Sequence, residues 1–178
     1  MVKADRAAVI ISAAHDLFMA HGFKATTMEA IARAAGVAKP TLYARFPDKE
    51  SVFAAVGQRA VTQFTAAFEA AISAPGPAAD RVRAGLGAKY RALDAMIGAS
   101  PHAGELVADY ERLAPDALAS LHATVLAGVQ EVLFDEGVPD AHERAALVVA
   151  AVEGLRTEFT DPAQLARMVE FTVTRLLA

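Results

Sequence analysis

The residues best suited to chemistry fall between positions 26 and 49. Lys39, Pro40, Thr41, Tyr43, Ala44 and Arg45 make a short segment of polar, aromatic or small side chains. Leu42 and Phe46, four apart, share one helical face and are the expected buried anchor. A short helix held at two points, with a polar opposite face, suits the major groove of double-stranded DNA. That groove is about 12 Å wide and admits one helix, whose N-terminal side chains meet base edges. Lys39 and Thr41 lie at that end. Tyr43 offers a ring and a hydroxyl to sugar and phosphate, and Lys49 is placed to meet the backbone beyond. Bland roles exist for each: Tyr43 as packing, Lys39 and Lys49 as solvated charges. Arg45 fits a surface ion pair and a phosphate contact equally well. Arg33 and Lys24 read as solvated.

The elements that must hold this segment are helical. A helix over 4–21 is expected from Ile10, Ala13, Ala14, Leu17 and Phe18, with Gly22 ending it. Thr26, Thr27, Met28 and Glu29 read as a capping box, one Thr hydroxyl capping the next helix and Glu29 reaching back. That helix covers 27–35, and Gly36 is a natural left-handed stop. The segment 39–46 follows. Pro47 and Asp48 break it, and Asp48 caps a long helix running to about residue 73. Ser73 to Pro77 is the clearest break in the chain. Further helices are expected at 80–97, 104–113, 115–136, 141–158 and 163–177, each bounded by Gly or Pro. No segment reads as a paired strand, so the expected fold is all-α with about nine helices.

Composition agrees. The 178 residues include 43 Ala, the best helix former, and 54% are apolar. Cys is absent, which excludes disulfides, thiolate metal sites and cysteine nucleophiles. No apolar run reaches the roughly 18 residues of a membrane span, and the first residues make a poor export signal, so a cytoplasmic protein is expected. The net charge of −4 argues against nucleic acid, but its distribution does not: residues 1–50 carry +2 and residues 51–178 carry −6. A mean hydropathy of +0.30 suggests an extra buried surface, such as a subunit interface or internal pocket.

At this point a resemblance is plain. Residues 10–53 resemble the N-terminal domain of the tetracycline-repressor (TetR) family. The likeness is carried by Ala14, Leu17 and Phe18 before Gly22, then Thr26 and Thr27, Ile31 and Ala32, and Ala35, Gly36 and Val37 at the turn. Thr41, Leu42, Tyr43, Phe46, Lys49 and Glu50 complete it. The resemblance implies a helix-turn-helix DNA-binding domain over 1–50, with its motif at about 27–46, and a helical ligand-binding and dimerisation domain over 51–178. It implies a homodimeric transcriptional regulator, a repressor released from a palindromic operator by a small apolar or amphipathic effector. By position, Thr26 and Thr27 would touch phosphate, Lys39, Pro40, Thr41 and Tyr43 would lie in or beside the groove, and Lys49 would pair with phosphate. Ala38 departs from the family's frequent Ser cap, at a cost of about 1 kcal/mol. Pro40 replaces a frequent Gly and lacks an N–H.

In the body, Phe64, Phe68, Tyr90, Leu93, Met96, Ile97, Leu106, Tyr110, Val125 and Val129 are candidates to line an effector pocket, although each also suits a core. Glu105 and Asp109 nearby would favour a neutral or cationic ligand. Residues 145–152 are apolar throughout, too wide for one buried stripe, so a helix covered on both sides is expected. Val148, Val149 and Val152, with Leu165, Met168, Val169, Thr172 and Leu176 of the last helix, are the expected dimer interface. His102, Glu105 and His122 have a possible metal-ligand spacing, but ordinary surface roles fit them better, and no metal or cofactor is expected. No catalytic constellation is visible, so a helical enzyme is the weaker reading. A scaffold that binds another protein through its last helices is the other alternative.

Overall fold

The computed structural model describes residues 6–159 and 161–177; the expected helix start at Ala4 and the charges Lys3 and Asp5 lie outside the described residues. The described residues form nine helices and no strand, an all-α fold. In chain order these are α1 (Arg6–Ala25), α2 (Met28–Ala34), α3 (Lys39–Tyr43), α4 (Lys49–Ile72), α5 (Ala78–Ile97), α6 (Ala103–Leu113), α7 (Pro115–Asp135), α8 (Ala141–Glu158) and α9 (Pro162–Leu177). They divide into two compact units. One draws on Met1–Ala60 and Ala99–Leu118, the other on Val61–Gly98 and Ala119–Ala178.

In the first unit, apolar residues at helical spacing on α1 (Ile10, Ala14, Phe18) meet Met28, Ile31 and Ala32 of α2, Leu42 of α3, and Val52, Phe53 and Val56 of α4. The centre is aromatic. Phe53 meets Phe18 edge-on at 5.1 Å and Phe23 at 4.8 Å between ring centroids, and Tyr110 of α6 flanks it at 6.3 Å. Such tilted pairs add to the value of the buried area alone. Leu106 also belongs to this core. Leu106 and Tyr110 thus sit here, whereas the other proposed pocket residues belong to the second unit. Ser100 Oγ donates to the Met19 carbonyl at 2.8 Å and so ties the approach to α6 to α1.

In the second unit, α9 packs against α5 and α8. Val82, Leu86, Val125, Val129, Val148 and Val152 are fully buried there. Arg81 Nε donates to the Ile72 carbonyl at 2.9 Å, which satisfies an otherwise orphaned group at the end of α4. Of the expected interface residues, Val148, Val149, Val152 and Val169 are buried within the chain, while Leu165, Met168, Thr172 and Leu176 are partly exposed. The large apolar side chains open to solvent on these two helices are instead Leu147 and Phe171, each 55% exposed. The eight-residue apolar run explains the difference. Its core face takes the valines and leaves Leu147 on another side, as a helix apolar all round must.

The expectation that no segment could span a membrane needs one correction: α7 is long and apolar enough by length and composition. It buries Leu121, Val125, Val129, Val132 and Leu133 in protein.

Candidate nucleic-acid interface

The interface is built on α2, the turn after it, and α3. Thr27 caps α2: its backbone is extended (φ −118°, ψ 155°) and its Oγ1 accepts from the Ala30 N–H at 3.2 Å. A cap of this kind contributes about 1 kcal/mol. Because Thr27 and not Thr26 is the cap, Glu29 falls one position too early to close the expected capping box. It turns instead to α3, where Lys39 Nζ donates to Glu29 Oε1 at 3.1 Å. The Glu29 carboxyl is held below the usual carboxylate range, first by its own backbone N–H and then by Lys39.

The turn itself closes α2 with two backbone bonds, Gly36 N–H to the Arg33 carbonyl at 3.2 Å and Val37 N–H to the Ala32 carbonyl at 3.0 Å. Gly36 sits at φ +64°, the left-handed conformation such a closure requires and glycine adopts without strain. α3 then starts from Ala38 (φ −68°, ψ 144°), which supplies no side-chain cap. Leu42 is fully buried and Phe46 packs against the same core. The opposite side is open. Lys39, Pro40, Tyr43 and Arg45 are exposed, Thr41 is half-buried, and Tyr43 shows 45% of its surface. An aromatic hydroxyl, a cation at each end and a threonine therefore face outward on one short rod.

Two of the expected phosphate contacts lie elsewhere in the geometry. Thr26 is buried, and its hydroxyl donates to the Gly22 carbonyl at 2.8 Å and approaches the Leu17 carbonyl at 3.3 Å. Lys49, the first residue of α4, points back at the end of α1. Its Nζ donates to the carbonyls of Phe23 (2.8 Å), Thr26 (2.9 Å) and Lys24 (3.3 Å), and it lies 4.4 Å from the centre of the Phe23 ring. Gly22 causes this arrangement. Its non-helical backbone (φ 75°, ψ 168°) breaks α1 and frees those carbonyls, which a cation then satisfies. Asp48 starts α4 as expected, accepting from the Ser51 N–H at 2.7 Å.

The site thus gathers Thr27, Lys39, Pro40, Thr41, Tyr43 and Arg45 on or beside one outward rod, and uses Thr26 and Lys49 to hold the turn behind it. No sequence signal marked Lys49 as a clamp, because its acceptors are backbone atoms. Among the described residues no group of three or more His, Asp or Glu is arranged to hold a metal. His102 pairs loosely with Glu105 at 3.8 Å, and His122 pairs with Glu153 at 3.0 Å.

Comparison with known proteins agrees with this geometry. Residues 10–56 match the sequence profile of bacterial regulatory proteins of the tetR family. Over 54 residues, 30% of this chain, it is 44% identical to the HTH-type transcriptional repressor ComR of Escherichia coli (strain K12). The match spans about a quarter (26%) of that relative's length. Solved structures share the fold over nearly the whole chain. A transcriptional regulator from Cytophaga hutchinsonii ATCC 33406 has a TM-score of 0.79 at 22% identity, with 96% of this chain and 95% of that one covered. A tetR-family regulator from Mesorhizobium loti MAFF303099 has a TM-score of 0.68 at 22% identity, covering 99% and 97%.

Proposed function

We propose, from the match of residues 10–56 to the bacterial regulatory proteins of the tetR family, that this chain is a homodimeric, cytoplasmic transcriptional repressor released from a palindromic operator by a small effector. The observation that carries the reading is α3: buried through Leu42 and open on the side of Lys39, Thr41, Tyr43 and Arg45. A rod held in that way reads base edges from its N-terminal half and meets phosphate at its margins. Thr27 keeps a hydroxyl hydrogen for phosphate, since its oxygen only accepts from the Ala30 N–H. Arg45 is the most direct cation for the backbone. Lys39 joins it once Glu29 releases its side chain, an exchange between exposed groups that costs little.

A twofold protein reads a twofold site, so two copies must join. The exposed Leu147 of α8 and Phe171 of α9 are the natural centre of that contact, with Leu165, Met168, Thr172 and Leu176 around them. The effector acts by binding the DNA-incompetent state better than the competent one; without that difference it changes nothing. Helix α4, unbroken from Lys49 to Ile72, is the element through which the switch acts.

A gel shift on duplex DNA carrying an inverted repeat, repeated over a range of salt, tests this reading. If each head neutralises about four phosphates, log K falls against log salt with a slope near −7, about 0.9 per phosphate. Retention of the duplex with that steep dependence supports the reading. Failure to retain any duplex at low salt overturns it.

A further inference from the structure

Between Thr26 and Phe46 the chain carries three cations, Arg33, Lys39 and Arg45, and a single acid, Glu29. That acid meets the lysine of the outward rod. Lys39 Nζ donates to Glu29 Oε1 at 3.1 Å, and both side chains stay more than half exposed, 59% and 53%. They are ten residues apart on different helices, so it is the turn that brings them together. The carboxylate is held from a second side by its own backbone N–H, which with Lys39 makes it more acidic than an ordinary glutamate. It stays ionised at neutral pH.

The fold has little use for this pair. Thr27 caps α2, the Gly36 and Val37 N–H groups close the turn, and Leu42 anchors α3. Exposed ion pairs add little to stability, because water screens them and two long side chains lose freedom. What the pair does change is the charge offered to a duplex. A carboxylate oxygen and a phosphate oxygen are the same kind of partner for an ammonium, since both are anionic acceptors. The three ammonium hydrogens can reach both at once, but the carboxylate charge then stands beside the phosphate charge. Either Lys39 gives up Glu29, or its charge is already cancelled when the backbone arrives. In both cases one phosphate contact is weakened and counterion release counts for less.

Resting on the reading of α3 as the rod that meets DNA, we propose that Glu29 is an affinity-setting residue of the interface, whose carboxylate competes with the duplex backbone for the Lys39 ammonium. Phosphate carries no sequence information, so the restraint acts on every duplex alike and leaves base preference to the side chains that reach base edges. Its weight is that of one exposed pair in each head, and the two add in free energy when both heads bind.

Fluorescence anisotropy on a labelled duplex without an inverted repeat tests it, over a range of salt. The full-length protein is compared with Glu29→Gln, Lys39→Met and the double variant. Glu29→Gln keeps the size of the side chain and removes its charge. It should tighten binding by about twofold to fivefold per head, the range for an exposed pair, and steepen the salt slope by about 0.9 per head. In the Lys39→Met background the same change should do neither, because there is no lysine left to withhold. An unchanged or weaker Glu29→Gln complex overturns the proposal. So does an equal gain with and without Lys39, which is general charge repulsion. The same proteins are then used to select duplexes from a random pool. An enriched inverted repeat without the Lys39-dependent gain sinks this inference alone. The Lys39-dependent gain without an inverted repeat sinks the regulator reading alone, and no duplex retained by any of the four proteins sinks both.

Discussion

Lys49 and Lys89 show how differently the two units treat the same side chain. In the first unit, Lys49 is half-buried and its ammonium reaches three backbone carbonyls at 2.8–3.3 Å, so it closes a broken helix end. In the second, Lys89 is buried and its ammonium sits 3.6 Å from a carboxylate that another residue holds more closely. The first lysine is held by backbone atoms alone. The second is held by a carboxylate from a distant helix, and its pKa moves down with burial. The same cation thus serves a helix end in one unit and a buried ion pair in the other, and only its partners tell which.

The largest effect expected on the first unit does not involve charge. Leu42→Ala removes the fully buried anchor of α3 and should destabilise by about 3 kcal/mol, a large-to-small core change. Thermal unfolding reads this directly, and duplex affinity should fall with it. Next comes the Lys49 clamp. Lys49→Met should cost about 1–2 kcal/mol, as expected for losing hydrogen bonds from a charged group near the surface. It should weaken DNA binding while leaving the salt slope unchanged. Arg45→Ala should instead reduce the slope by about 0.9 per head. A flattened slope for Lys49→Met would return that lysine to the phosphate contacts and undo the comparison.

Lys89→Met sharpens the contrast, because removing one partner of a buried ion pair leaves Glu153 with less compensation and should lower the melting temperature. An unchanged melting temperature would show that the pair is dispensable to the fold, unlike the Lys49 clamp. The smallest effect belongs to the exposed pair of Lys39 and Glu29. Because the Glu29 pKa is lowered in the folded chain, its contribution is present above the unfolded carboxyl pKa and is lost as pH falls through the folded value. In Lys39→Ala, an NMR titration should find the Glu29 carboxyl closer to its ordinary pKa, though still lowered by its own backbone N–H.

Much of this was legible in the chain. Gly22, Gly36, Pro47 and the Ser73–Pro77 break mark helix limits because they act through local backbone chemistry. Leu42 and Phe46 could be placed inward because their spacing is helical. The losses are of two kinds. One-residue framing misplaced the cap: with Thr27 in place of Thr26, Glu29 turns to its own N–H and to Lys39 rather than back to the cap residue. Partners that are backbone atoms, or that come from distant helices, leave no pattern. The Lys49 carbonyls and the Lys89–Glu153 pair, 64 positions apart in the sequence, are of this kind. The run over 145–152 showed that α8 is apolar all round, but not that Val148, Val149 and Val152 face inward while Leu147 faces out.

The central claim is that α3 presents its open side to DNA as one of a symmetric pair. Selection of bound duplexes from a random pool by the full-length protein tests it most directly. The account predicts enrichment of an inverted repeat, with half-site preference relaxed by Thr41→Ala. Recovery of no enriched duplex, or of a sequence without twofold symmetry, would contradict it.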